Sequence, residues 1–352
     1  MRYNTRCLEI FRNAVDILNW RAEWAAPRPQ KKAELIDLVE LLTLSNSLLW
    51  AFYLRLSDAR SSLKSKIMFI LRVLTQPAAS IAWFFYLYHS CLRDTVFNHV
   101  SLLDAIHRPF YDRKLSVFER LSLLRNHFRL TQQFLGADAL THLMEGKTLP
   151  LASFQGKNQQ EYKIALLSHP AYQREGGLTL GLFHNELMLQ SLTFSIDQRP
   201  AGLLLRVGGT QSCQQNSKEQ IKEATKGLYG IQPRLLLIEA LRYIAQELQC
   251  VTIECIARKN HIYEAWRYRF SKKIRAEYDQ LWSLTGGIPH FNGNFLLPMF
   301  SEEKPLSERP ANKRAEYRGR DTIKLAMREQ IGNRLLSKFT LSHQEMPVLQ
   351  AA

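Results

Sequence analysis

Residues 178–207 hold three strand-length apolar runs with almost nothing between them: Leu178–His184, Leu187–Ile196 and Leu203–Val207. Links this short favour tight turns, so the runs predict three antiparallel strands in a row within one sheet. Gly208–Gly209–Thr210–Gln211 follows, then a polar linker, then Gly230–Ile231–Gln232–Pro233–Arg234. Pro233 suits the first turn of a helix, where the N–H it lacks would have had no partner. From there Leu237, Leu241, Ile244, Ala245 and Leu248 share one helical face. Val251, Ile253, Cys255 and Ala257 then alternate as a strand leading into Asn260 and Tyr263. Strands at 178–184, 187–196, 202–208 and 251–257 are therefore expected in one sheet, crossed by the helix from Pro233. If the strands flanking that helix are parallel, the crossover must be right-handed.

The flanks have a different texture. Residues 1–150 read as helical. Leu35, Leu38, Val39 and Leu42 repeat at helical spacing, as do Leu63, Ile67, Ile70, Leu71 and Leu74. Ser116 and Glu119 are spaced as a capping box before Leu121, Leu124, Phe128 and Leu130. Near Pro150 the pattern shifts to short strands, beginning with Tyr162–Ser168. Arg174–Glu175–Gly176–Gly177 reads as a turn. Asn294–Pro298 is a short extended run, Arg309–Arg320 is basic, and a last helix is expected over Thr322–Leu336. The organisation is thus α+β: a helical N-terminal half (1–150) packed on a mixed β-sheet with a crossing helix (151–300), then a basic C-terminal tail and helix (301–352).

Hydrophobic residues make up 46% of the 352, enough for a real core, and the formal net charge is +15. A chain this basic is attracted to polyanions: an anionic membrane surface, a phosphorylated small molecule or nucleic acid. The longest uncharged run, Val73–Leu92, has the length of a bilayer span. Its Thr75, Gln76, Pro77, Ser80, His89 and Ser90 favour a buried core helix first and a membrane-surface contact second. The five cysteines form no C-x-x-C pair, so free thiols in a reducing compartment are expected and no metal site. The first twenty residues carry Arg2, Arg6, Glu9, Arg12 and Asp16 and do not read as a signal peptide. Nucleophile-elbow, Walker, H-E-x-x-H and kinase motifs do not occur, which disfavours those chemistries.

Several short motifs stand in a set order along the chain. They are Arg108–Pro109–Phe110, Glu119–Arg120–Leu121 with His127, Glu175–Gly176, Gly208–Gly209–Thr210–Gln211, Ala224–Thr225–Lys226–Gly227, Gly230–Ile231–Gln232–Pro233–Arg234, Tyr278–Asp279–Gln280–Leu281–Trp282 and Lys313–Arg314–Ala315–Glu316–Tyr317–Arg318. In this order, from about Ile106 to Arg320, the set resembles the VirK/YbjX family of Gram-negative bacteria. The chain departs from the usual pattern at Gly177 and Ser212, where the family tends to carry a second acid and a glycine. The resemblance implies a role in virulence, envelope remodelling and tolerance of cationic antimicrobial peptides. It also implies a cytoplasmic place, peripheral on the inner face of the cytoplasmic membrane. It leaves the reaction open.

The strand–strand–strand–helix–strand order of residues 178–257 also resembles the acyl-CoA-dependent N-acyltransferases of the GNAT type. That resemblance implies a GNAT-like sheet and an acyl-CoA or acyl-carrier donor. The helix N-terminus would face the donor's phosphates, because its unpaired N–H groups and dipole make an anion site. Gly230 and Pro233 would shape that turn, and Arg234 would add a charge-assisted contact. Gly208, Gly209, Gln211, Lys226 and Asn260 complete the implied cofactor contacts. Glu175 would act as general base and Tyr263 as general acid. The polar insert between Gly209 and Gly230 departs from the tight loop of those enzymes. Each residue also has a plainer reading: Glu175 as a solvated turn carboxylate, Lys226 as a solvated lysine at a helix end, and His127 and His169 as structural histidines. Arg258–Lys259 and Arg267–Arg275 crowd positive charge around Trp266, Tyr268 and Phe270. That keeps open an alternative: a non-enzymatic accessory protein binding RNA or anionic lipid through a basic surface.

Overall fold

The structure, a computed structural model, describes residues 33–212, 218–268, 277–301, 305 and 308–336. It divides into two units, Met1–Arg108 and Pro109–Ala352.

The first unit is helical: α1 (Ala33–Ser57), α2 (Leu63–Thr75), α3 (Pro77–His89), the short α4 (Thr95–Asn98) and a 3-10 segment, Val100–His107. The Ser62 side chain accepts from the Ser65 N–H and so caps α2, while Pro77 opens α3. Between them the axis turns by 111° at Gln76. A helix cannot run smoothly into a proline, so the uncharged stretch Val73–Leu92 is divided between two helices. Among the described residues no single helix is long and apolar enough to cross a membrane. Trp83, Phe84 and Leu87 are buried, as are Phe69 and Val73. The apolar residues at helical spacing form a helix, α2, as expected, and the structure shows which way they face. Leu63, Ile67, Leu71 and Leu74 are exposed, because the helix turns Phe69 and Val73 inward instead.

The second unit opens with α5 (Val117–Leu135) and α6 (Ala137–Met144), separated at Gly136, whose φ is +95°. Ser116 and Glu119 exchange both hydrogen bonds of a capping box. A sheet follows: β1 (Leu149–Gln155), β2 (Glu161–Leu167), β3 (Leu178–His184), β4 (Leu187–Arg199) and β5 (Gly202–Ser212). Two helices, α7 (Lys218–Gly227) and α8 (Pro233–Glu247), lead to β6 (Thr252–Cys255). The chain ends with α9 (Tyr278–Leu284), β7 (Ile288–Pro289), β8 (Phe295–Leu297) and α10 (Arg314–Leu336). The eight strands lie in the order β1-β2-β3-β4-β5-β6-β8-β7. Among the described strands only β5 and β6 are parallel, joined through α7 and α8; the other neighbours are antiparallel.

β3 is buried from Leu178 to Phe183, so both of its faces are covered. α8 lies against β3 and β4, α5 against β4, and α10 against α8 and β1. β1, missed in the sequence, contains Pro150 next to a register shift. A proline is tolerated there because β1 is an edge strand. The expected strand 202–208 extends to Ser212, because Gly208 is absorbed as a bulge: Thr193 pairs with Gly209 and Phe194 with Val207. The expected strand 251–257 is shorter, since the chain turns into a 3-10 segment at Arg258. α10 begins at Arg314, so the basic stretch Arg314–Arg320 is helix. Residues 269–276, which carry most of the second basic run, and the final dozen residues lie outside the described ones.

Candidate functional site

In the parallel β5–β6 connection α8 runs back against the strands, so its N-terminus stands at their carboxyl ends. At that end of an open sheet, loops rather than strands decide chemistry. The strands part there. Pairing between β5 and β6 stops at Val207 and Cys255, and the rest of β5 keeps only β4 as a neighbour.

Glu175 sits at this end and is fully buried. The plainer reading, a solvated turn carboxylate, is thereby overturned. Two glycines admit it. A Cβ on Gly208 would fall 1.6 Å from the Glu175 carbonyl oxygen, and one on Gly209 would fall 2.1 Å from its Oε2. The turn itself is equally tight. A Cβ on Gly176 would meet the Phe194 backbone at 2.7 Å, and one on Gly177 would meet His127 Nε2 at 1.8 Å. No second acid fits at Gly177, which accounts for the glycine there.

A buried carboxylate needs donors. Gln211 Nε2 donates to Glu175 Oε1 at 2.6 Å, and the Tyr263 hydroxyl donates to the same carboxylate. His261 Nε2 stands 3.8 Å from Oε1. Because the Tyr263 N–H donates to His261 Nδ1 at 3.2 Å, the neutral ring keeps its proton on Nε2. Burial lowers the His261 pKa to about 4, so it is neutral near pH 7. The Tyr278 ring stacks on His261 with centroids 5.3 Å apart. Burial first, and the Glu175 charge second, hold the Tyr263 and Tyr278 phenols well above their usual pKa, so both stay protonated. Arg174 hydrogen-bonds the Tyr268 hydroxyl and lies 5.1 Å from that ring's centroid, and Tyr268 meets Tyr263 edge-on. Glu175 is sealed while Tyr263 is half-buried, so Tyr263 links the carboxylate toward the surface.

Asn260 lies behind this cluster. Its Nδ2 donates to Asn294 Oδ1 at 2.8 Å and to the Asn292 carbonyl at 3.2 Å. Asn292 and Asn294 both donate to Glu254 Oε1. Arg206 lies 3.7 Å from Glu254 and 3.1 Å from Asp197, with Tyr111 under its guanidinium. The described contacts of Asn260 are thus structural; they hold the segment that carries His261 and Tyr263.

The remaining expected residues form a second group at the N-terminus of α8. Gly230 has a φ of +76°, and a Cβ there would meet Glu316 Oε1 at 2.3 Å and Arg320 Nη2 at 2.6 Å. Arg320 Nε donates to the Tyr229 carbonyl at 2.6 Å, so α10 braces the turn. Pro233 occupies the first turn and is buried. Arg234 and Lys226 are exposed, and Arg234 Nε donates to Gln232 Oε1. The structure therefore joins Glu175, Gly208, Gly209, Gln211 and Tyr263 by contact, and sets Lys226, Gly230, Pro233 and Arg234 apart in the helix-start group. Sequence reasoning missed His261 and Tyr278 as site members. Tyr278 opens one of the short motifs that carry the family resemblance, and His261 directly follows Asn260. His127, by contrast, is structural: its Nδ1 accepts the Ile196 N–H at 3.2 Å, and burial lowers its pKa to about 3.

Residues 58–333 match the family described as Protein of unknown function (DUF535). The Uncharacterized protein YbjX of Escherichia coli (strain K12) is 30% identical over 266 residues, covering 74% of this chain and 80% of that protein. An Uncharacterized protein of Haemophilus influenzae (strain ATCC 51907 / DSM 11121 / KW20 / Rd) is 25% identical over 219 residues, 62% of this chain and 72% of the relative. No solved structure matches the chain. The family match spans both units and takes in the glycine-lined carboxylate and the braced helix start, and the chain belongs to the DUF535 family of YbjX-like proteins.

Proposed function

We propose that this protein is acyltransferase-like, with a GNAT-like sheet that takes an acyl-CoA or acyl-carrier donor. It would serve envelope modification and antimicrobial-peptide tolerance at the inner face of the cytoplasmic membrane. The observation that carries this reading is a juxtaposition. The one parallel pair among the described strands, β5–β6, stops pairing at Val207 and Cys255, where Glu175 meets Gly208 and Tyr263, and α8 starts beyond the carboxyl end of β5. Donor phosphates would meet the exposed Arg234 and the N–H groups of the α8 start. An acceptor amine would attack the thioester carbonyl, forming the new C–N bond, and the C–S bond would break. Glu175 would take the amine proton and Tyr263 would give its own to the departing thiolate. The hydrogen bond between them would then return the proton from Glu175 to the phenolate, restoring the starting state.

Two variants test this. Arg234→Ala is expected to weaken acyl-CoA binding by about ten- to a hundredfold, the value of one charge-assisted hydrogen bond. Melting should be unchanged, because Arg234 is exposed. Tyr263→Phe should keep binding and lose turnover. Calorimetric titration with acyl-CoA and a thermal melt read both. Unaltered affinity in Arg234→Ala, or none in the wild type, would leave the accessory-protein reading. Steeply salt-dependent RNA affinity would then support that alternative.

A further inference from the structure

The helical unit holds a polar pocket that the site at Glu175 does not use. It measures about 430 Å³, within the range of small-ligand sites. Its lining includes Arg55, Arg60, Arg108, Ser61, Ser62 and Ser65. Arg55 is 3% exposed and reaches Ser61, Ser65 Oγ at 2.6 Å and Asp104 Oδ2 at 3.0 Å. Asp104, fully buried, also meets Arg72 at 3.0 Å and Arg108 at 3.6 Å. Asp58 takes Arg60 at 3.1 Å. Four arginines thus surround two aspartates in this part of the unit. Four arginines against two aspartates leave a net positive charge here, and the serine hydroxyls beside them suit phosphate oxygens.

An apolar face starts at the mouth of this pocket. Ser62, in the pocket lining, caps α2, and the next residue, Leu63, is 74% exposed. Ile67, Leu71 and Leu74 continue the same face at helical spacing and are exposed in turn. On α1, Leu49, Tyr53 and Leu56 are exposed as well. The Lys66 ammonium reaches the Leu56 carbonyl at 2.5 Å and ties the two helix ends together. Soluble surfaces rarely leave a helix apolar on both sides, and α2 already buries Phe69 and Val73 opposite. An apolar face beside a phosphate-sized cationic pocket matches one kind of surface, an anionic phospholipid layer.

We propose that α2 lies in such a layer through Leu63, Ile67, Leu71 and Leu74, and that the Arg55–Arg60–Arg108 pocket receives a lipid phosphate. The site is separate from the acyltransferase reading and needs no acyl donor. Flotation of the full chain with vesicles tests it. Phosphatidylglycerol-containing vesicles should bind the protein roughly tenfold better than phosphatidylcholine alone, since each surface cation adds attraction. Ile67→Glu/Leu71→Glu should abolish flotation, and Arg60→Glu should remove the preference for phosphatidylglycerol. Both changes fall on exposed side chains, and a thermal melt checks that the fold survives. Equal binding to the two vesicles, none to either, or flotation that survives Ile67→Glu/Leu71→Glu overturns the proposal. So does a melting rise with inorganic phosphate in a protein that does not float.

Discussion

Glu175 is written in the sequence as an ordinary surface glutamate, beside an arginine and two glycines. Its burial follows from residues more than a strand away. Gly208 and Gly209 make the room, and Gln211 and Tyr263 supply the donors. Local signals read well at this scale: Ser116 and Glu119 cap their helix as their spacing predicts. A group whose partners come from three separate segments does not. Two buried histidines yield a prediction in acid. Burial lowers both: His127 to about 3 and His261 to about 4. Below the ordinary histidine pKa of about 6.5 the unfolded chain takes up protons that the fold refuses. The stability they contribute is therefore present above about pH 6.5 and is lost as pH falls toward 4, by up to about 1.4 kcal/mol per pH unit for each. Urea melts between pH 7.5 and 4.5 measure the slope, and His127→Gln should make it shallower. An unchanged stability across that range would mean that neither ring is sealed.

Among the elements, apolar periodicity located β3 to the residue and the start of α8 at Pro233, because each element is long and its turn chemistry explicit. It did not find β1, where Pro150 disguises an edge strand, and it gave α7 only as a helix end at Lys226 within the polar insert. The outward face of α2 was also out of reach. Periodicity reports that a stripe exists, and packing decides which way it turns. The β5 bulge carries the strongest expectation here. Gly208→Ala would set a methyl 1.6 Å from a backbone oxygen, where no rotamer can relieve the clash. The loss should reach roughly 1–3 kcal/mol or more, read as a fall in the urea midpoint. Gln211 and Tyr263 should lose their hold on Glu175 together. A wild-type midpoint in Gly208→Ala would show that the bulge has slack.

The whole molecule carries its positive charge over two units, and its lipid affinity should be that of a peripheral protein. High-salt or carbonate washing is expected to release it from membranes. No single described helix is long and apolar enough to cross a membrane, and α2 and α3 reach that length only together, across a 111° bend. Retention through both washes would require that pair to straighten into a span. The parallel pairing of β5 with β6 has a kinetic consequence. β1 to β5 pair only with chain neighbours, so their hydrogen bonds close short loops and form early. β6 must wait for α7 and α8, and a loop that long delays contact formation. His261 and Tyr263 arrive only with the residues after β6. During synthesis the meander can therefore assemble while Glu175 still lacks its tyrosine. The carboxylate cluster is completed only after the meander, and a chain cut short before Tyr263 would hold β1 to β5 without the site.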